Sequence, residues 1–348
     1  MKQQTTILCT TLAMVLLSCS KSNNNPDPHP VPSVVYVAGQ ELNSAGKSVA
    51  KYWKDGVAQN ITDGVYDANI TKIEVSGSDV YVSGWEQNAA GKTVAKIWKN
   101  GTATNLTSGV NNASANSISL NGTDVYAGGY ETDPVTGKYK AVYWKNGNAF
   151  YLTDGTVEAY CRDIKSVGTD MYVCGYIKSG SDKYIAFYWK NNIFYTLSTG
   201  TTTDAIAISI LVSGTDVYVC GYETNASNVY VAKIWKNGVA TTLTDGTYPA
   251  YARDILVSGT DVYVCGYGKN AAGKNVAKLW KNGTAQDLSD GTLNTYAYGL
   301  SLAGNDVYVC GHQEYGAGTY KSGYWKNNAA NWLTGNNGSA TAAAMVLK

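Results

Sequence analysis

The sequence predicts an all-β fold: a seven-bladed β-propeller with four antiparallel strands per blade, closed by the C-terminal strand pairing into the first blade. Three observations predict it. A [DV]-[VM]-Y-[VA]-x-G segment recurs with its Tyr at 36, 81, 126, 172, 218, 263 and 308, a spacing of 45 or 46 residues. A Trp-Lys-[Asn/Asp]-[Gly/Asn] segment follows each copy, with Trp at 53, 98, 144, 189, 235, 280 and 325. The composition is rich in Tyr (28) and Gly (37) and poor in Phe (3) and Met (4), the profile of many short strands joined by tight turns. Four strands in about 45 residues is the period of a propeller blade.

Residues 1–18 read as a signal segment and are set apart from the fold. Lys2 precedes an apolar run, Ile7 to Leu17, too short to cross a bilayer as a helix. The run ends in Leu16-Leu17-Ser18-Cys19, which resembles the bacterial lipobox. That resemblance implies a lipid on Cys19, a membrane attachment through it and, with Ser20 following, an outer-membrane address in the cell envelope. Residues 19–33 are polar and Pro-rich and are expected to be a tether. The propeller then occupies 34–348.

The sixth unit shows the strand pattern. Ala250 to Ser258 is strand one, Asp261 to Tyr267 strand two, Val276 to Lys281 strand three and Thr284 to Leu288 strand four. Asn282-Gly283 links three to four, where both residues tolerate positive φ. The chain enters at Val34 to Val37 as a strand two with no strand one before it. It leaves at Ala340 to Leu347, where Ala342, Met345 and Leu347 align with Ala252, Ile255 and Val257 of a strand one. The tail therefore completes the blade that the head begins, which protects an otherwise bare sheet edge.

Hydrophobic strand two ending in Gly, with a downstream Trp, resembles a kelch blade, and Gly128-Gly129 matches the kelch double glycine. The Trp sits on strand three, where kelch blades prefer strand four. The repeats are also similar to those of exported bacterial propellers. The WD40 and sialidase signatures are absent.

Seven copies serve as an internal control. The repeated Tyr and Trp are expected in the core. Glu41, Glu86, Glu131 and Glu223 follow strand two, Lys51, Lys96, Lys233 and Lys278 sit ten residues after that position, and these charges are expected to pair across hairpins. Cys174, Cys220, Cys265 and Cys310 share one repeat position and are expected to be buried free thiols. A straight ladder places Cys161 opposite Tyr176 and diagonal to Cys174, so a Cys161–Cys174 bridge is the alternative left open. His29 and His312 are the only histidines, which argues against histidine-based metal sites and triads. No metal or cofactor is expected. Charged residues make up 15% of the chain and the net charge is +1, which argues against a nucleic-acid partner.

Residues that differ between copies are the candidates for ligand binding. These are Tyr66, Tyr160, Arg162, Tyr248, Tyr251, Arg253, Tyr296 and Tyr298, at the strand-one starts and the loops before them. Arg162 and Arg253 are the chain's only arginines. Tyr faces with arginines suit sugars or carboxylates. The expectation is a monomeric, non-catalytic binding module for a glycan or an envelope protein. The alternatives are a polysaccharide lyase or hydrolase at the channel mouth, and a structural assembly protein.

Overall fold

The computed structural model describes residues 33–348 apart from Asn192, Asn336 and Asn337. The signal segment, Cys19 and all but the last residue of the tether lie outside the described residues. Seven four-stranded antiparallel sheets follow one another, each with its strands in the same order. The innermost strands are Ala340–Leu347 in blade one, Ala68–Ser76 in blade two, Ala113–Asn121 in blade three and Ala159–Val167 in blade four. Blades five to seven supply Ala205–Ser213, Ala250–Ser258 and Thr295–Ala303. Among the described residues there is no helix.

Blade one joins the two ends of the chain. Val35 pairs with Leu347 and Val37 with Met345, which places the C-terminal strand where the repeat alignment expects it, and a register shift then sets Gly39 opposite Ala342. Val35, Val37 and Trp53 of this blade share an apolar cluster with Tyr308 and Cys310 of blade seven, so the ring closes through packing as well as pairing.

The repeated Trp carries the contacts between blades. All seven are nearly inaccessible; Trp235 and Trp280 are fully so. Trp280, for example, packs with Ala252, Ile255 and Val264 of its own blade and Tyr218, Cys220 and Ala232 of blade five. Burying an indole of this size contributes roughly 4–6 kcal/mol before entropic costs. The repeated Tyr lies at the margin of this core. Lys281, next to Trp280, extends over the Tyr263 ring at 5.2 Å and pairs with Asp261 at 2.7 Å. The adjoining turn places Asn282 at φ 50° and Gly283 at φ 82°. Asn282 also accepts from the Val262 backbone N–H at 2.8 Å, which pins the hairpin to strand two.

The expected hairpin ion pairs form at Lys51–Glu41, Lys96–Glu86 and Lys233–Glu223. Glu131 instead accepts from Tyr151 at 2.6 Å, and Lys140 pairs with Asp133 at 3.3 Å. Cys161, Cys174, Cys220, Cys265 and Cys310 are all buried free thiols, so the Cys161–Cys174 bridge does not form. The ladder around Cys161 is not straight. A β-bulge shifts the register, and Cys161 faces Gly175 rather than Tyr176. Its sulfur points to blade three, where a Cβ on Gly128 would lie 2.4 Å away. The first glycine of the Gly128-Gly129 pair thus has a local cause: it makes room for a neighbour's thiol.

Candidate functional site: a ring of bulged side chains around the axis

Every innermost strand carries the same bulge. The register shifts leave Thr71, Asn116, Arg162, Ile208, Arg253, Tyr298 and Ala343 as the extra residue in blades two to seven and then one. A bulge re-aims its side chain out of the pleat. All seven of these side chains line a single axial pocket of about 400 Å³. That volume falls in the range of small-ligand sites.

The strand-two glycine of the repeat exists because of the bulge. A Cβ on Gly266 would sit 2.0 Å from the Tyr251 carbonyl oxygen, and one on Gly175 1.8 Å from that of Tyr160. Gly39, Gly84, Gly129, Gly221 and Gly311 meet the same carbonyl in their blades. A glycine inside a strand pattern is the sequence signal for this geometry. A straight-ladder reading passes over it.

In five blades the residue after the bulge is polar, Lys72, Ser117, Asp163, Ser209 and Asp254, and these five interact with one another; Gly299 and Ala344 hold the position in the other two. Asp163 accepts hydrogen bonds from the Ser117 hydroxyl and from the backbone N–H of Ile210 at 3.0 Å, and lies 2.9 Å from the Ser209 hydroxyl, whose single proton is shared between Asp163 and Asp254. Ser209 lies 2.8 Å from Asp254, which also accepts from the Leu300 N–H at 3.0 Å. Lys72 pairs with Asp254 at 3.4 Å. Burial raises the cost of charge on Asp163, yet Lys72, Lys165 and its hydrogen-bond donors outweigh it and hold the carboxyl below the usual range. Burial likewise works against charge on Lys72, and Asp254, Asp163 and Glu74 overcome it, so the ammonium is retained. Lys165 is paired with Glu74 at 3.2 Å.

The two arginines differ from these charges. Among the described residues neither guanidinium has an ion-pair partner. Arg253 stacks on Tyr298 at 4.9 Å, and no protein group accepts from its buried Nε. An unmet buried donor costs about 1–3 kcal/mol. Tyr298 stacks in turn on His312, at 5.2 Å and 22°. Burial lowers the His312 pKa to about 4, so the imidazole is neutral and aromatic in role.

Of the sequence candidates, the axial pocket unites Arg162, Arg253 and Tyr298. Tyr160, Tyr251 and Tyr296 point elsewhere, into a belt of ring contacts. Tyr160 stacks on Tyr176 at 4.6 Å, Tyr251 meets Tyr222 at 4.9 Å, and Tyr296 meets Tyr267 at 4.9 Å. Tyr66 and Tyr248 are exposed on loops away from the pocket lining. The pocket also takes Gln40, Asn69, Lys72 and Thr341, which sequence reasoning did not select. Lys72 could have been found as the one cation among the residues that follow a bulge.

No family model matches the chain, and no curated protein matches it in sequence. Solved structures do resemble it. The β-propeller domain of the Trilobed protease from Pyrococcus furiosus superposes with a TM-score of 0.54 at 11% identity, over 87% of this chain and 95% of that one. Its topology is described as an open velcro, whereas here the first blade joins both chain ends. A puromycin-hydrolyzing peptidase of Mycobacterium tuberculosis gives a TM-score of 0.57 at 11% identity over 87% of this chain. An acylaminoacyl peptidase of Pyrococcus horikoshii gives 0.53 at 14% identity over 89%. This chain spans about half the length of these two, 52% of each. At such identities the likeness establishes the propeller fold. The expectation of a non-catalytic glycan- or protein-binding module is corrected by this comparison, in which the propellers that resemble the chain are those of peptidases.

Proposed function

We propose that the chain is a hydrolase-related propeller whose axial pocket receives part of a peptide substrate and orients it for cleavage. One observation carries this reading. The seven bulged side chains are the point at which nearly identical blades diverge, and all of them meet in the same pocket. Side chains held this way are preorganised, because the sheet fixes the backbone that bears them. Small and medium groups on one side of the ring, Thr71, Asn116 and Ala343, leave room opposite Arg162, Arg253 and Tyr298.

The test is to fill the pocket without touching the sheet. Ala343→Trp in the full chain is expected to weaken binding of short peptides at least tenfold while leaving the melting temperature within a few degrees. Peptide binding and turnover that survive this change would remove the axial pocket from the reading. We propose further that the protein works from the cell envelope, anchored by lipid on Cys19. Cys19→Ala is then expected to abolish incorporation of radiolabelled palmitate and release the chain from the membrane fraction. Labelling that persists would refute the anchor.

A further inference from the structure

We infer that the pocket recognises its ligand through two acidic groups, one held by Arg162 and one by Arg253. The inference builds on the assignment of the axial pocket as the substrate site and adds the ligand's chemistry.

The argument is an accounting of charge. Lys72 is matched by Asp254, and Lys165 by Glu74. Asp163 accepts from the Ser117 hydroxyl and the backbone N–H groups of Ile164 and Ile210, and shares the Ser209 proton with Asp254. The two lysines and their partners cancel, and Asp163 keeps its charge with its oxygens taken by neutral donors, so neither guanidinium is paired with a carboxylate of the chain although the net excess is one positive charge. The two guanidinium groups remain, on blades four and six, either side of Ile208 on blade five. Burial raises the pKa of Tyr222 on that intervening blade, and the charges of Arg253 and Arg162 both work against the rise, so both reach the same neighbourhood. Tyr298 supports the Arg253 plane from one face and leaves its edge donors unused by carboxylates of the chain. A guanidinium edge fits a carboxylate through two parallel hydrogen bonds, and such charge-assisted pairs are stronger than neutral ones. Two unmatched forks in about 400 Å³ suit a compact ligand with two carboxylates, such as a peptide ending in an acidic residue.

The experiment is calorimetric titration of the full chain. The probes are acetyl-Ala-Ala-Asp with a free terminus, the same peptide amidated, acetyl-Ala-Ala-Asn-amide, and succinate. The free acid is expected to bind most tightly, and each lost carboxylate to weaken binding about tenfold or more. Arg162→Gln and Arg253→Gln should each reduce the free acid to the level of the amidated peptide. Arg162→Lys, which keeps the charge and loses the fork, should fall between; the peptide comparison alone decides if the Gln variants do not fold. Equal affinity for all three peptides overturns the inference, and if Ala343→Trp still abolishes their binding, the pocket reading survives. Arginine-dependent binding of succinate without any peptide binding supports the inference and overturns the peptide reading. No binding of any probe overturns the inference.

Discussion

Lys72 of blade two reaches across the axis to Asp254 of blade six, 182 positions away in the chain, at 3.4 Å. The pair ties opposite sides of the ring at the base of the pocket. Its side chains are 19% and 12% exposed, so it is partly screened. Lys72→Met is expected to cost about 2 kcal/mol, below the figure for a fully buried pair. Lys281→Met on the outer turns, where the pair is far more exposed, should cost much less. Urea unfolding of both variants checks this, and equal losses would deny the cross-axis pair a special role.

His312 makes stability depend on pH above the carboxylate range. Its folded pKa, about 4, lies below its unfolded value of 6.5. The unfolded chain therefore binds the proton first, and stability is complete above pH 6.5 and declines as the pH falls toward 4. The loss attributable to this group is about 3 kcal/mol. Asp163, with a lowered folded pKa, adds a further loss below about pH 4 as it protonates. His312→Phe should flatten the melting temperature between pH 4 and 6.5 and leave the lower limb in place. An unchanged slope in that window would assign it to other groups.

The bulge glycines and the turn glycines should respond differently to one added methyl. Gly266→Ala forces a Cβ to within 2.0 Å of a backbone oxygen, and the bulge must be undone. The expected cost is about 3 kcal/mol or more. Gly259 has φ +59° and open space around it, so Gly259→Ala meets only left-handed strain, about 1 kcal/mol. Denaturant midpoints with matched slopes would measure the difference.

Gly128 and Cys161 should be coupled. Gly128→Ala alone collides with the Cys161 sulfur and is expected to cost about 1–3 kcal/mol. Cys161→Ala alone opens a small void at similar cost. Together they restore the volume, so the double variant should be about 1 kcal/mol better than the sum of the singles. Strict additivity would show that the two side chains do not share a space.

Most of the architecture was legible because the chain repeats itself. Blade number, strand order and the placing of Ala340–Leu347 beside the first strand all follow from aligning seven copies. What the alignment hid was the bulge. Counting back from the tight turn at Val167–Asp170 as a straight ladder misplaces Cys161 by one residue, and the misplacement begins at Arg162, the residue that matters most. The same error made Tyr160 and Arg162 look like neighbours on one surface; the bulge sends Arg162 into the pocket and leaves Tyr160 in the aromatic belt. Lys72 was hidden for another reason: its partner lies on the far side of a ring that only the closed fold brings together. The unusual glycine in each strand two was the available clue to the bulge.

A residue that sits on a bulge is excused from its sheet's ladder. Some of these side chains still brace the next blade, as Thr71 does at the Ala115 carbonyl and Asn116 at that of Cys161, while the others face the channel. Where no such brace exists, the wall of the channel can be respelled letter by letter while the frame around it keeps its shape. Such a molecule can drift from one ligand to another through single exchanges, and an engineer could steer it along the same route.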